Sequence, residues 1–142
     1  MGAPLLTRAY HFSAAHRLAS PALDEADNAR LYGQCVRLHG HNYRLEVTLQ
    51  APPDPVTGMA VDLGQVDQVV RATVLDRVDH YDLSGTVPAL AGVVTTGENL
   101  ARAFWRWLEP ALPPGTLRRI AVVETENNRF EWVGEAAGVP GP

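Results

Sequence analysis

Three histidines are spaced so that their rings could meet at one metal ion. His39 and His41 are two residues apart in an alternating segment, so both side chains point to the same face of a strand. His16 ends an earlier alternating segment, and the three rings converge if the two strands are neighbours. Three imidazoles leave a fourth zinc position open, as in catalytic sites. We therefore predict a zinc cofactor on His16, His39 and His41, although imidazole also suits copper, iron and nickel. The alternative is three ordinary structural histidines.

Cys35 is the only cysteine, and it precedes His39 in the segment that leads into the second strand. A nearby zinc ion or imidazolium lowers the pKa of a thiol, and the resulting thiolate is a better base. The pattern leaves three roles open for Cys35: a catalytic thiol, a fourth metal ligand, or a small buried residue.

Two further polar features could do chemistry. In Asp79-His80 the carboxylate could orient the imidazole, as in a proton relay, although a solvated pair in a loop is the plainer interpretation. Glu124 interrupts an otherwise apolar strand face, where a carboxylate needs a partner. That partner would be either the guanidine-like edge of a ligand or an arginine. Glu98 could complete a capping box with Thr95.

Periodicity predicts the elements that carry these residues. Alternation over 5–16, 39–50, 118–125 and 130–133 predicts strands, with a short returning strand at 59–63 and a tight turn at Asn127-Asn128. Asp62 is predicted to cap a helix that runs to about Val78, and Thr95 or Thr96 to cap a second that ends at Pro110. Residues 17–37 lack a period and are predicted to form a long loop.

This order of elements favours an α+β fold, an antiparallel sheet with two helices packed on one face. The 142 residues are expected to form a single domain, 1–142, with a frayed tail after about Gly134. The open edges of such a sheet could be covered by oligomerisation.

Composition narrows the partners and the location. The net charge of -4 argues against nucleic acid as a partner, because phosphate binding requires a basic face. No apolar run approaches the ~20 residues that span a bilayer, so no membrane association is expected. With one cysteine the chain has no internal disulfide, and we expect a cytoplasmic protein.

Five short motifs occur in order along the chain: Phe12-Ser13-Ala14-Ala15-His16, Cys35-x-x-x-His39-Gly40-His41-Asn42-Tyr43, Asp79-His80, Thr96-x-Glu98-Asn99 and Glu124-Thr125. Together they resemble the 6-pyruvoyltetrahydropterin synthase family, and more closely its bacterial branch, 6-carboxytetrahydropterin synthase. The resemblance spans most of the chain. The spacing of Cys35 and His39 selects the branch, since carboxy-forming members share this short gap and pyruvoyl-forming members have a longer one.

The resemblance implies a tunnelling fold, in which subunits, six in the expected hexamer, join their sheets into a barrel with active sites between them. It implies zinc on His16, His39 and His41, with Cys35 as proton acceptor assisted by Asp79 and His80. Glu124 would anchor a pterin substrate, with Thr96 and Glu98 nearby.

The activity implied is a zinc-dependent lyase that converts dihydroneopterin triphosphate to 6-carboxytetrahydropterin, with release of acetaldehyde and triphosphate, in queuosine biosynthesis. One alternative is formation of 6-pyruvoyltetrahydropterin by triphosphate elimination. A second, from another class, is a non-catalytic zinc- or pterin-binding oligomer.

Overall fold

Four strands form one antiparallel sheet in chain order, in a computed structural model that describes residues 2–134. The strands are β1 Leu5–His16, β2 His39–Gln50, β3 Leu117–Thr125 and β4 Asn128–Val133. These four strands confirm the alternation in the sequence, and the turn before β4 lies one residue earlier than predicted. The tail expected to fray lies outside the described residues.

Two helical stretches cover one face of the sheet. The first begins with α2 Leu63–Val70, continues through a π-helical turn Arg71–Leu75 and ends with α3 Asp76–Val78. Asp62 caps it, because its Oδ1 accepts the N–H of Gln65 at 3.2 Å. The second is α4 Gly97–Leu108, which Thr96 caps by accepting the N–H of Asn99 at 3.3 Å.

The core lies between these helices and the sheet. Val66, Val70, Val74 and Val78 from the first stretch are buried at helical spacing, as are Leu100, Phe104 and Leu108 from α4. They form one apolar cluster with the strand side chains Phe12, Tyr43, Leu45, Val47, Ile120 and Val122. The fold is therefore α+β with helices on one face, as predicted.

A third helix, α1 Glu25–Tyr32, lies in the segment predicted to be a loop, and a 3₁₀ turn Gly33–Val36 follows it. No residue of α1 is buried, so it has no apolar stripe for periodicity to detect. Its stability comes from local chemistry: Asp24 accepts the N–H of Asp27 at 2.7 Å, and acidic residues occupy the first turn.

The prediction of a short strand at residues 59–63 is wrong. Bends occupy this segment, and Leu63 already begins α2. The Met59 carbonyl instead closes a turn by accepting the N–H of Asp54 at 2.9 Å, and Asp62 already caps α2. Among the described residues, no helix has both the length and the apolarity needed to cross a bilayer.

Candidate metal centre

The register of β1 and β2 brings the three histidines together. His16 lies opposite His39 and Ala14 lies opposite His41, so the end of β1 meets the start of β2. All three rings project to the helix-covered face, with centroids 4.6 Å (His16–His39), 5.1 Å (His16–His41) and 5.0 Å (His39–His41) apart. One nitrogen from each ring lies within 4.8 Å of the others. The convergence expected from the spacing is confirmed.

Backbone carbonyls set the orientation of two of the rings. His16 Nδ1 lies 2.9 Å from the Thr95 carbonyl, and His39 Nδ1 lies 2.7 Å from the Arg37 carbonyl. A carbonyl only accepts, so each Nδ1 carries a proton, and in the neutral ring the lone pair is on Nε2. A metal-binding histidine usually shows this second hydrogen bond to a carbonyl or a carboxylate.

Burial favours the neutral form that a metal ion requires at two of the rings, His16 and His41. His16 is 1% exposed, and loss of hydration lowers its pKa to about 4. Burial also lowers the pKa of His41, against the opposing effect of Glu124. His41 Nε2 is buried with no hydrogen-bond partner among the described residues. A bound cation accounts for a buried, unpartnered nitrogen that faces two other ring nitrogens better than a purely structural cluster does.

Glu124 approaches the cluster from β3. Its Oε1 lies 3.5 Å from His41 Nε2, and its side chain is largely buried. Tyr43 lies on the same face, fully buried, with its hydroxyl 3.5 Å from His16 Nε2. The sequence offered an arginine as one partner for Glu124, and none of the described arginines lies within 4.0 Å of it. The carboxylate therefore remains available to a ligand.

Cys35 lies in the 3₁₀ turn that leads toward β2 and is partly buried. Its carbonyl accepts the N–H of Leu18 at 2.8 Å, which holds this turn beside the chain that leaves His16. Within residues 2–134, the three histidines form a group whose ligand atoms all lie within 4.8 Å of one another, and Cys35 is not part of that group. This geometry does not favour the interpretation of Cys35 as a fourth ligand.

Asp79 and His80 form the expected pair, but they lie along β1 rather than within the histidine cluster. His80 Nδ1 lies 2.8 Å from Asp79 Oδ1, which also accepts the N–H of Ser13 at 3.0 Å. The backbone N–H of His80 donates to the Ser13 carbonyl at 2.6 Å, and His80 has a positive φ of 66°. The pair is thus fixed along the outer edge of β1.

The His80 side chain is 81% exposed. It lines a surface cavity of about 430 Å³ with Ser13, Ala15, Gly40 and Asn42, and His41 of the histidine cluster lines the same cavity. Ser13, Ala15, Gly40 and Asn42 alternate with the metal-facing residues and therefore belong to the opposite face of the sheet. Within residues 2–134, the ligand atoms that lie within 4.8 Å of one another belong to the three histidines, and Asp79 and His80 are not among them.

Thr96 and Glu98 lie at the start of α4, where Thr96 acts as the cap and Glu98 is exposed in the first turn. Sequence reasoning missed Thr95 as a support for His16. Thr95 is buried, its Oγ1 lies 3.2 Å from His16 Nδ1, and Ser84 Oγ lies 3.4 Å beyond. The Thr95-Thr96 pair was visible only as a helix cap, because a backbone carbonyl leaves no signal in side-chain identity.

Comparison with known proteins agrees with this geometry. The sequence model of the family described as "6-pyruvoyl tetrahydropterin synthase" matches residues 5–135. The 6-pyruvoyl tetrahydrobiopterin synthase of Dictyostelium discoideum is 39% identical over 131 residues, covering 92% of this chain and 96% of that protein. The solved 6-pyruvoyl tetrahydropterin synthase of Caenorhabditis elegans superposes with a TM-score of 0.87 at 35% identity, covering 95% of this chain and 99% of the other.

A more limited similarity concerns the carboxy-forming branch. The 6-carboxy-5,6,7,8-tetrahydropterin synthase of Rickettsia bellii is 32% identical over 74 residues, which is 52% of this chain and 46% of that protein. The similarity to pyruvoyl-forming relatives therefore extends over much more of the chain.

Proposed function

Because the chain belongs to the 6-pyruvoyl tetrahydropterin synthase family, we propose that it is a zinc-dependent lyase that eliminates triphosphate from dihydroneopterin triphosphate. The observation that carries the proposal is the convergence of three histidine rings beside a largely buried carboxylate. Family membership supports a pterin lyase, and zinc and the exact substrate are the finer parts of the proposal.

His16 and His39 would hold the zinc ion through Nε2, since Nδ1 of each is bonded to a backbone carbonyl, and His41 through its unpartnered Nε2. When bound, zinc would supply Lewis-acid polarisation of the side-chain oxygens of the substrate, which acidifies the adjacent C–H and O–H bonds. The Thr95 and Arg37 carbonyls keep two of the rings aimed at this position. The partly buried Cys35 would be the base that takes a proton from the substrate side chain.

Glu124 would bind the amino-pyrimidine edge of the pterin. A carboxylate presents two oxygens to the paired N–H groups of such an edge, and charge-assisted bonds in a desolvated site are strong. Its side chain is only 17% exposed, which supports an anchor rather than a solvated surface charge. Thr96 and Glu98, at the nearby start of α4, would contact the same ring.

The Asp79-His80 pair would serve the site of another protomer. It is fixed to the outer edge of β1, solvent-exposed, and outside the group of ligand atoms that converge within 4.8 Å, which supports a role at a metal centre across an interface. In residues 2–134, β1 and β4 each pair with one strand only, and Leu5 and Val133 on these edge strands are exposed. Pairing of such edges supports assembly of the expected hexameric barrel. We expect light scattering to report six copies, and a monomer would contradict this part of the proposal.

Two products follow from the same elimination, and different observations favour them. Pyruvoyl-forming relatives match nearly the whole chain, so 6-pyruvoyltetrahydropterin is the first candidate. The carboxy-forming reaction, with acetaldehyde release in queuosine biosynthesis, is the second. The short gap between Cys35 and His39 favours it, together with the partial similarity to the Rickettsia bellii protein. We place either reaction in the cytoplasm, where a free cysteine at an active site stays reduced.

Incubation of the zinc-loaded protein with dihydroneopterin triphosphate tests the proposal. Mass spectrometry should detect free triphosphate and one pterin product, and an acetaldehyde assay separates the two candidates. A protein that leaves the substrate intact, with zinc bound, would contradict lyase activity.

The rival function is a non-catalytic zinc- or pterin-binding oligomer, which metal removal distinguishes. An enzyme loses turnover with its fold intact, whereas a structural site loses its fold.

A further inference from the structure

We propose that the exposed guanidinium groups of Arg17 and Arg37 bind the triphosphate of the substrate, at the side of the metal centre opposite Glu124. This inference rests on the proposed function, which defines the substrate. A triphosphate carries several negative charges, and arginine presents forked N–H groups that match phosphate oxygens.

The order of the strands sets the direction in which the substrate lies. Glu124 is on β3 and approaches His41 on β2, and His16 is on β1 at the far side of β2. A pterin with its amino-pyrimidine edge on Glu124 extends its side chain from the opposite end of the ring system, across the three histidines. The triphosphate at the end of that side chain then reaches the segments that follow His16 and precede His39.

Arg17 directly follows His16, and its backbone is held in place. Its N–H donates to Ser84 Oγ at 2.8 Å, and the Ser84 hydroxyl donates to the Arg17 carbonyl at 3.0 Å. The exposed Arg17 side chain lines a surface cavity of about 330 Å³ with Ser20, Ser84 and Gly92. The guanidinium and the Ser20 hydroxyl can both donate to phosphate oxygens, whereas the Ser84 hydroxyl uses its proton to hold the Arg17 backbone.

Arg37 occupies the corresponding position before β2. Its backbone is extended, with φ -80° and ψ 146°, and its carbonyl accepts the Nδ1–H of His39 at 2.7 Å. Residues two apart in an extended chain point to the same side, so Arg37 is on the same side as His39. Its side chain is exposed. The two arginines therefore adjoin the ends of the two strands that supply the histidines, Arg17 one residue after His16 and Arg37 two residues before His39.

Both guanidinium groups are available for an anion. Several other arginines are engaged with carboxylates: Arg8 with Asp67, Arg30 with Asp27, and Arg44 and Arg129 with Glu46. Within the part of the chain that the structure describes, Arg17 and Arg37 have no carboxylate oxygen within 4.0 Å.

Isothermal titration calorimetry with inorganic triphosphate tests the site directly on the zinc-loaded protein. We expect Arg17→Gln and Arg37→Gln each to weaken binding roughly ten- to hundredfold, as expected for loss of a charge-assisted contact. The matched control is Arg106→Gln, which removes the same charge from the exposed end of α4 and should bind as the wild type does. Zinc content and circular dichroism verify that each variant is folded.

Kinetics separate this inference from the proposed function. The KM for dihydroneopterin triphosphate should rise in both variants, while affinity for dihydroneopterin, which lacks phosphate, stays unchanged. If both variants turn over the substrate and bind triphosphate as tightly as the wild type does, the inference is overturned and the proposed function stands. If the variants bind triphosphate less tightly than the wild type, but neither the wild type nor the variants turn over the substrate, the anion site is supported and the lyase activity is contradicted. A wild-type protein that fails to bind triphosphate would also overturn the inference.

Discussion

Replacing Gly97 with alanine should destabilise the fold, because no space exists for a methyl group where α4 meets β4. A Cβ at Gly97 would lie 1.9 Å from Cδ2 and 2.3 Å from Cε2 of Phe130. Carbon atoms in contact are about 3.5–4.0 Å apart, so the ring would have to move by more than about 1 Å. Overpacking of this kind costs about 1–3 kcal/mol. The higher helix propensity of alanine returns at most about 1 kcal/mol, so the clash dominates.

Gly64→Ala is the matched control, since Gly64 also lies in the first turn of a helix. Its Cβ would meet only Asp62 Oδ1, at 3.4 Å, an ordinary contact. We expect Gly64→Ala to stabilise by up to about 1 kcal/mol. Urea unfolding of the metal-free proteins measures both free energies, with an unchanged slope against denaturant. Phe130→Ala combined with Gly97→Ala should relieve the clash, as a non-additive term in the double-mutant cycle. Equal stability of the two glycine variants would refute the packing argument.

Three further predictions concern the site and the edge of the sheet. Cys35→Ala should keep zinc and fold but lower kcat by roughly 10²–10⁴, the usual contribution of a general base, and full activity would remove the thiol from the mechanism. Glu124→Gln should weaken pterin binding measured by calorimetry roughly ten- to hundredfold, whereas the exposed neighbour Glu126→Gln should not, and unchanged affinity in Glu124→Gln would exclude the anchor role. Hydrogen bonds from Arg8 and Tyr10 lower the pKa of Asp67 to about 2. Their stabilising effect is therefore fully present above the ordinary carboxyl pKa near 4, and it is lost as the pH falls through 2. The stability difference between wild type and Asp67→Asn in urea should therefore shrink from pH 5 to pH 2, and a constant difference would contradict this assignment.

The strands and the histidine cluster could be predicted because they depend on periodicity. Alternation put His39 and His41 on one face, and their convergence with His16 was expected only if β1 and β2 are neighbours, which the antiparallel pairing of His16 with His39 confirms. The helix caps Asp62 and Thr96 were also readable, because capping requires particular side chains close in sequence.

Other features leave no such signal. Helix α1 depends on its Asp24 cap and charges rather than on buried residues, and Thr95 and Arg37 act on the histidines through backbone carbonyls. The separation of His80 from the histidine cluster depends on the path of a loop along the outer edge of β1. Tertiary pairing of this kind cannot be derived from the local pattern of Asp79-His80.

Zinc stoichiometry measured together with turnover tests the central claim most directly. The wild-type protein should bind one zinc ion per chain and release triphosphate from dihydroneopterin triphosphate. His39→Ala should lose both properties, while His11→Ala, which removes an exposed histidine from β1, should keep both. Full zinc content and full turnover in His39→Ala would contradict the account.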